Sequence, residues 1–178
     1  MSRVFHLARL AGGGIAAVVF AAALNSTAFA NAETEAAQAR VKQLGKRWDP
    51  EVNTETRAAY LPALRVARRD GVTVHRDLKY GADERHRLDV FEPVVKAARP
   101  MPVVVYVHGG GLTGGDKDAV GTPFEGYLYG NVGRYFALNG MVGVNATYRL
   151  VPQVKFPGGA EDVAGVVRWV RANAARYG

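Results

Sequence analysis

Val103–Asp116 reads VVVYVHGGGLTGGD, a run of mostly β-branched residues that meets a histidine, three glycines and, after Leu112-Thr113, two more glycines. Pro102–Val107 is continuously apolar with no polar alternation, the pattern of a strand covered on both faces. The glycines that follow put backbone without Cβ where the chain must turn sharply or where something must come close to it.

Two chemistries use bare backbone in that position. Gly109, Gly111 and Gly114 match G-x-G-x-x-G, the nominal fingerprint of a dinucleotide site. That mechanism needs the last glycine to open a helix that holds the pyrophosphate, with an acid about 20 residues further on for the ribose. Here Gly114 leads into GDKDAVGTPFEG, a loop, and the position twenty further on is Arg134, so the match is accidental. The other chemistry is an oxyanion cradle, in which glycines let backbone N–H groups point at a developing alkoxide.

The elements around this stretch set its context. Asn31 caps a helix over Ala32–Leu44 that Gly45 stops, and a short helical piece within Pro50–Tyr60 follows Asp49 and is limited by Pro62. From Gly71, VTVHRDLKY and HRLDVFEP alternate apolar and polar residues about a Tyr80–Asp83 turn, which predicts two antiparallel, half-buried strands. After the glycines, Gly126–Leu138 has helical spacing and ends at Asn139-Gly140; Met141–Thr147 is a buried strand. Ala160–Ala175 is a helix whose apolar positions Val163, Val166, Val167, Val170 and Ala174 recur at three and four residues, with Trp169 in its core. Strand, strand, strand, helix, strand, helix predicts an α/β fold, a parallel sheet with flanking helices and antiparallel first strands.

In that context the motifs carry a resemblance over roughly Gly71–Gly178. Tyr80-Gly81, Leu88-Asp89-Val90, His108-Gly109-Gly110-Gly111, Gly114–Lys117, Tyr148-Arg149-Leu150, Phe156-Pro157 and Glu161-Asp162-Val163 come in the order found in α/β-hydrolase esterases. The chain resembles the hormone-sensitive-lipase-like and BD-FAE-like groups of that fold. The resemblance implies the first half of an α/β-hydrolase sheet and hydrolysis of a carboxylic ester, with Gly110 and Gly111 donating N–H groups to the oxyanion and His108 shaping the loop. Asp116 and Asp118 read as a solvated loop face, because no base is paired with either.

The same resemblance calls for a serine in G-x-S-x-G, followed by an acid and a histidine. The only serines are Ser2 and Ser26, and no histidine follows His108. The triad nucleophile, acid and base are therefore none of these residues, and the 178 residues read as a truncated, inactive amino-terminal part of such an enzyme. The alternative is an exported, non-catalytic binding protein on a partial hydrolase fold. The resemblance pairs a further strand beside Val103–Val107; without it that strand has an open edge, so residues 31–178 alone are expected to fold poorly or aggregate.

Residues 1–30 carry Arg3 and Arg9, an apolar run to Leu24 and Ala28-Phe29-Ala30, the order of a secretory signal peptide cleaved after Ala30. The run from Leu10 to Leu24 is short of the ~20 residues of a membrane span, and an uncleaved membrane anchor is the lesser alternative. Residues 31–70 then form a helical extension and 71–178 the hydrolase domain. Loss of the two leader arginines takes the net charge from +7 to +5. The basic residues are scattered over Arg40–Arg87 instead of forming one block, and aromatics do not interleave with them as a nucleic-acid groove would need, so no nucleic-acid partner is expected. Cysteine is absent, which removes disulfides and thiolate chemistry. No metal-ligand spacing and no cofactor are implied; the partner is a small ester, and no feature fixes an oligomeric state.

Overall fold

The computed structural model describes residues 31–47 and 49–177. The signal peptide expected over residues 1–30 lies outside the described residues. The chain divides into two compact units, Met1–Ala67 and Arg68–Gly178.

Among the described residues the first unit holds two helices. α1 covers residues 31–44 and ends as Gly45 takes φ +77°. α2 spans Pro50–Val66, with Pro50 in its first turn and the Asp49 carboxylate accepting from the Val52 amide at 2.8 Å. Pro62 was expected to limit this helix, yet the helix runs on for four residues beyond it. Proline removes one N–H from the ladder, and the surrounding helix formers in RAAYLPALR carry the turn past that single lost bond.

The second unit is a four-stranded mixed sheet with a helix on each face. Its elements are β1 (Val72–Lys79), β2 (Arg87–Pro93), β3 (Val103–Val107), α3 (Leu128–Leu138), β4 (Val142–Ala146) and α4 (Gly158–Tyr177), and the strand order is β1-β2-β4-β3. β1 and β2 pair antiparallel, as do β2 and β4, whereas β3 and β4 are parallel with Val105 opposite Val144. The period of two along a strand sorts side chains between the faces. Leu88 and Val90 of β2 join Val142, Val144 and Ala146 of β4 in one core with Val166, Trp169 and Val170 of α4. The residues between them face α3: the Asn145 amide donates to Tyr129 O at 2.6 Å, and the Arg134 guanidinium lies over the Phe91 ring.

Three burial expectations need correction. β2 is buried along almost its whole length, not half-buried, because it has a neighbour on each edge and a helix over each face. β3, expected to be covered on both faces, is the sheet's edge: it pairs with β4 alone among the described residues, and Val103 and Val107 are exposed. Val167 and Ala174, counted with the apolar stripe of α4, are also exposed, since the core side is served by Val166, Trp169 and Val170.

Charge is buried within the sheet as well. Asp89, wholly buried in the middle of β2, accepts at 2.8 Å from both the Lys117 ammonium and the Asp77 amide. The second contact exists because β1 bulges between His75 and Leu78, where Asp77 takes φ +56°. Lys117 is itself buried and also meets Asp77 at 2.8 Å. Burial alone would lower the Lys117 pKa, but its hydrogen bonds to Asp77 and Asp89 outweigh it and hold the group above its ordinary value. Without Lys117, Asp89 keeps, among the described residues, only the Asp77 amide and the longer contact to Arg76 at 3.5 Å, and breaking a buried pair costs about 3–5 kcal/mol. Lys117→Met is therefore expected to lower unfolding free energy by about that much in a urea melt. A loss under about 1 kcal/mol would mean that Asp89 is neutralised by another route.

Candidate active site

At the end of β3 the chain leaves the sheet through His108, which is almost fully buried. Its ring stacks on Tyr148 at 4.6 Å between centroids, 11° from parallel, and the Tyr148 hydroxyl donates to His108 O at 3.0 Å. The ring Nδ1 lies 2.8 Å from Gly109 O. A carbonyl oxygen can only accept, so Nδ1 carries the proton and Nε2 is left as the acceptor of the neutral ring, 3.4 Å from Arg85 Nη2. Burial pushes the His108 imidazole below its ordinary pKa; the bond to Gly109 O and the nearby Asp116 oppose this, and Arg85 adds to it.

The next residues form a tight loop. Gly110 O accepts from the Thr113 amide at 3.1 Å and the Gly114 amide at 3.2 Å. Gly110 has φ +133°, and a Cβ there would be driven into the Gly114 carbonyl, so the position admits glycine only. Gly115, at φ +99°, is equally constrained: a Cβ would strike Gly109 O and the His108 ring.

The consequence for the amides follows from peptide geometry. In a trans peptide the N–H points away from the C=O of the preceding residue. Gly109 O is held by His108 and Gly110 O by the Thr113 and Gly114 amides, so the N–H groups of Gly110 and Gly111 are turned the other way. Among the described residues neither N–H has a hydrogen-bond partner, and both glycines are exposed.

The loop continues through Asp116 and Asp118, for which a solvated face was expected. Asp116 is half-buried and caps the turn by accepting from the Asp118 amide at 2.9 Å. Asp118 is buried: it pairs with Arg76 and accepts from the Gly126 amide at 3.1 Å. The β1 bulge brings Arg76 within reach, and this long-range ion pair draws the carboxylate out of water.

A second loop, Tyr148–Phe156, faces the first. Arg149 grips Asp162 in the first turns of α4: its amide donates at 2.9 Å and its guanidinium at 2.7 and 3.0 Å. His86 Nε2 lies 3.0 Å from the same carboxylate. Burial would raise the Asp162 pKa, but the bonds from Arg149 and His86 prevail and hold it below the ordinary carboxylate range. Between the two loops lies a largely apolar cleft of about 300 Å³, lined by Val107, Leu112, Tyr148, Val151, Val154 and Val163 among others.

The structure thus brings His108, Gly110 and Gly111 together at one strand end, beside Tyr148 and the apolar cleft. Trp169 packs against the core, well down α4 from this loop. Sequence reading missed Arg85, whose guanidinium reaches Tyr148 O at 2.7 Å and Gly115 O at 2.9 Å. Nothing in Asp83-Glu84-Arg85-His86-Arg87 distinguishes that arginine from its neighbours. No cluster of three or more acidic or histidine side chains suited to a metal occurs among the described residues.

A mixed sheet of this order, with a glycine loop after the parallel edge strand, defines an α/β-hydrolase of esterase type. Comparisons with known proteins agree. The BD-FAE family profile matches residues 88–178, just over half of the chain. Carboxylesterase NlhH of Mycobacterium tuberculosis is 34% identical over 149 residues, 81% of this chain and 37% of NlhH. Esterase LipC of the same organism is 31% identical over 106 residues, 59% of this chain and 24% of LipC. Among solved structures, esterase B from Lactobacillus rhamnosis matches with a TM-score of 0.54 at 26% identity, covering 83% of this chain and 42% of esterase B. The chain belongs to the BD-FAE family, and it spans well under half the length of these relatives.

The direction of the His108 shift has a thermodynamic consequence. Its folded-state pKa lies below the unfolded value, so the unfolded chain takes the proton first on acidification. The His108 contribution to stability is complete above pH ~6.5 and is lost as the pH falls below that towards the folded pKa. The depressed Asp162 acts in a lower window, below pH ~3.8 and down through its folded pKa. Melts from pH 8 to 4.5 should therefore show the wild type losing stability faster than His108→Gln below pH ~6.5. Parallel curves would contradict a depressed His108.

Proposed function

We propose that the chain carries the oxyanion-binding half of a carboxylic ester hydrolase. The observation behind this reading is the pair of unpartnered, exposed N–H groups on Gly110 and Gly111, in the loop whose next residue, Leu112, lines an apolar cleft. When a nucleophile adds to an ester carbonyl, the carbonyl oxygen gains a full negative charge. Two fixed N–H donors stabilise that charge without reorganising at the moment of reaction. His108, neutral and stacked on Tyr148, serves as the brace behind the first donor; its Nδ1 proton is committed to Gly109 O. The cleft beside the cradle suits an apolar portion of the ester.

The nucleophile, acid and base are not supplied by these 178 residues, which contain no G-x-S-x-G. On this reading the chain alone does not turn over esters, and the triad comes from sequence outside it. The order of charged, apolar and small residues in residues 1–30 supports export with cleavage after Ala30. No helix among the described residues is long and apolar enough to cross a membrane. The lack of any serine beyond Ser26 favours a second reading, an exported protein that uses the half-fold for binding without catalysis.

Sequencing the gene beyond the codon for Gly178 separates the two. A continuing frame with G-x-S-x-G within a few tens of residues supports the hydrolase, and a verified stop with a stable secreted product supports the binder. In the longer product, Gly110→Val is expected to lower kcat on short acyl esters by about 10²-fold or more, with KM little changed, because one oxyanion donor acts on the transition state. Unchanged kcat would remove Gly110 from the cradle. Turnover by the 178-residue chain itself would overturn the assignment of the nucleophile.

A further inference from the structure

Arg85 stands in the turn between β1 and β2, and its backbone is fixed from both sides. Its amide donates to the Asp83 carboxylate at 2.8 Å, and its carbonyl accepts from the Thr147 hydroxyl. From this base the guanidinium makes two bonds to two different loops. Nε donates to Tyr148 O at 2.7 Å, and Nη2 donates to Gly115 O at 2.9 Å while lying 3.4 Å from His108 Nε2. Neither carbonyl belongs to regular secondary structure, and no acidic side chain pairs with Arg85 among the described residues. A cation joined to two carbonyls instead of a carboxylate acts as a clamp more than as a charge partner.

What the clamp presses together is the back of the cradle. The Gly115 backbone lies so close to Gly109 O and the His108 ring that a Cβ has no room between them. Tyr148, on the other arm, stacks on the same ring and donates to His108 O. Both arms of Arg85 therefore end on groups that confine the His108 ring and the Gly109 carbonyl. That carbonyl and the Gly110 N–H share one rigid peptide plane.

We propose that Arg85 is a positioning residue for the cradle: by drawing Gly115 O and Tyr148 O to one guanidinium, it holds the Gly109–Gly110 peptide in the orientation that turns the Gly110 N–H outward. The proposal rests on the reading of Gly110 and Gly111 as oxyanion donors, but it concerns the rigidity of the loop, which can be measured without substrate. The charged groups acting on the His108 ring are Arg85 and, with opposite sign, Asp116; the neutral Tyr148 ring covers one face.

Amide relaxation and histidine ring titration in the ¹⁵N-labelled chain test this, with Arg85→Met and Arg85→Lys beside the wild type. In the wild type, the Gly110 and Gly111 amides should be as ordered as the strands, with order parameters near ~0.85. Arg85→Met should drop both below ~0.6 while β2 and β4 keep theirs, and should raise the His108 pKa because a nearby positive charge is gone. Arg85→Lys keeps the charge, so His108 should titrate near its wild-type value, yet the loop should loosen, because an ammonium lacks the planar fork that spans two carbonyls. Unchanged Gly110 and Gly111 order in either variant would overturn the proposal. So would loosening that extends through β2 and β4, which would make Arg85 a general stabiliser of the fold. A rigid, Arg85-dependent loop in an enzyme indifferent to Gly110→Val would leave this inference standing and remove the oxyanion reading instead.

Discussion

A peptide unit is rigid and its N–H points opposite its C=O, so a protein can aim a donor by gripping the carbonyl behind it. At the end of β3 this happens at two consecutive peptides. His108 Nδ1–H takes Gly109 O, the Thr113 and Gly114 amides take Gly110 O, and the Gly110 and Gly111 N–H groups are turned outward together. Such a device works only if the carbonyls are held more firmly than a ligand can pull the donors. That requirement explains the buried histidine, the glycines without room for a Cβ, and the aromatic ring stacked behind them.

The loops bearing the cradle are in turn tied to the sheet by buried charges. Asp89, in the centre of β2, anchors the first loop through Lys117, and Arg76 adds a second tie through Asp118. Asp162, at the start of α4, anchors the second loop through both the amide and the guanidinium of Arg149. Both carboxylates are almost fully removed from water, so each depends on its cation, and the cations sit on the loops. Exposed ion pairs contribute little to stability, whereas pairs of this kind are costly to break. Loop geometry and sheet stability are thus coupled.

Much of this fold is legible in the sequence because strand and helix periods and turn residues are local signals. The apolar run of Val103–Val107, the Asn139-Gly140 stop and the stripe of α4 each follow from spacing alone. The glycines of His108–Gly111 point to a loop with bare backbone, and the order of motifs around them points to the family that the BD-FAE match bears out. The residues read as wetter than they are share one cause, whereas β3 and Val167, read as covered, are exposed because an apolar run does not say which neighbours flank it. Asp118 was placed in water and β2 half in water because the residues that cover them, Arg76 and the β4 strand, come from elsewhere in the chain. Arg85 went unnoticed for the same reason: its partners lie 30 and 63 residues away. Pro62 is different in kind, a local stop signal outweighed by good helix formers on both sides.

In the free protein, two N–H groups are held in fixed directions before any ligand arrives. Residual dipolar couplings of the Gly110 and Gly111 amides, in a weakly aligned ¹⁵N-labelled sample of the ligand-free chain, read those directions most directly. The expected result is couplings that fit the same alignment as the β2 and β4 amides, at the full size of a rigid N–H lying along the axis that the structure gives it. Couplings averaged towards zero, or couplings that do not fit the alignment set by the β2 and β4 amides, would contradict a preformed cradle.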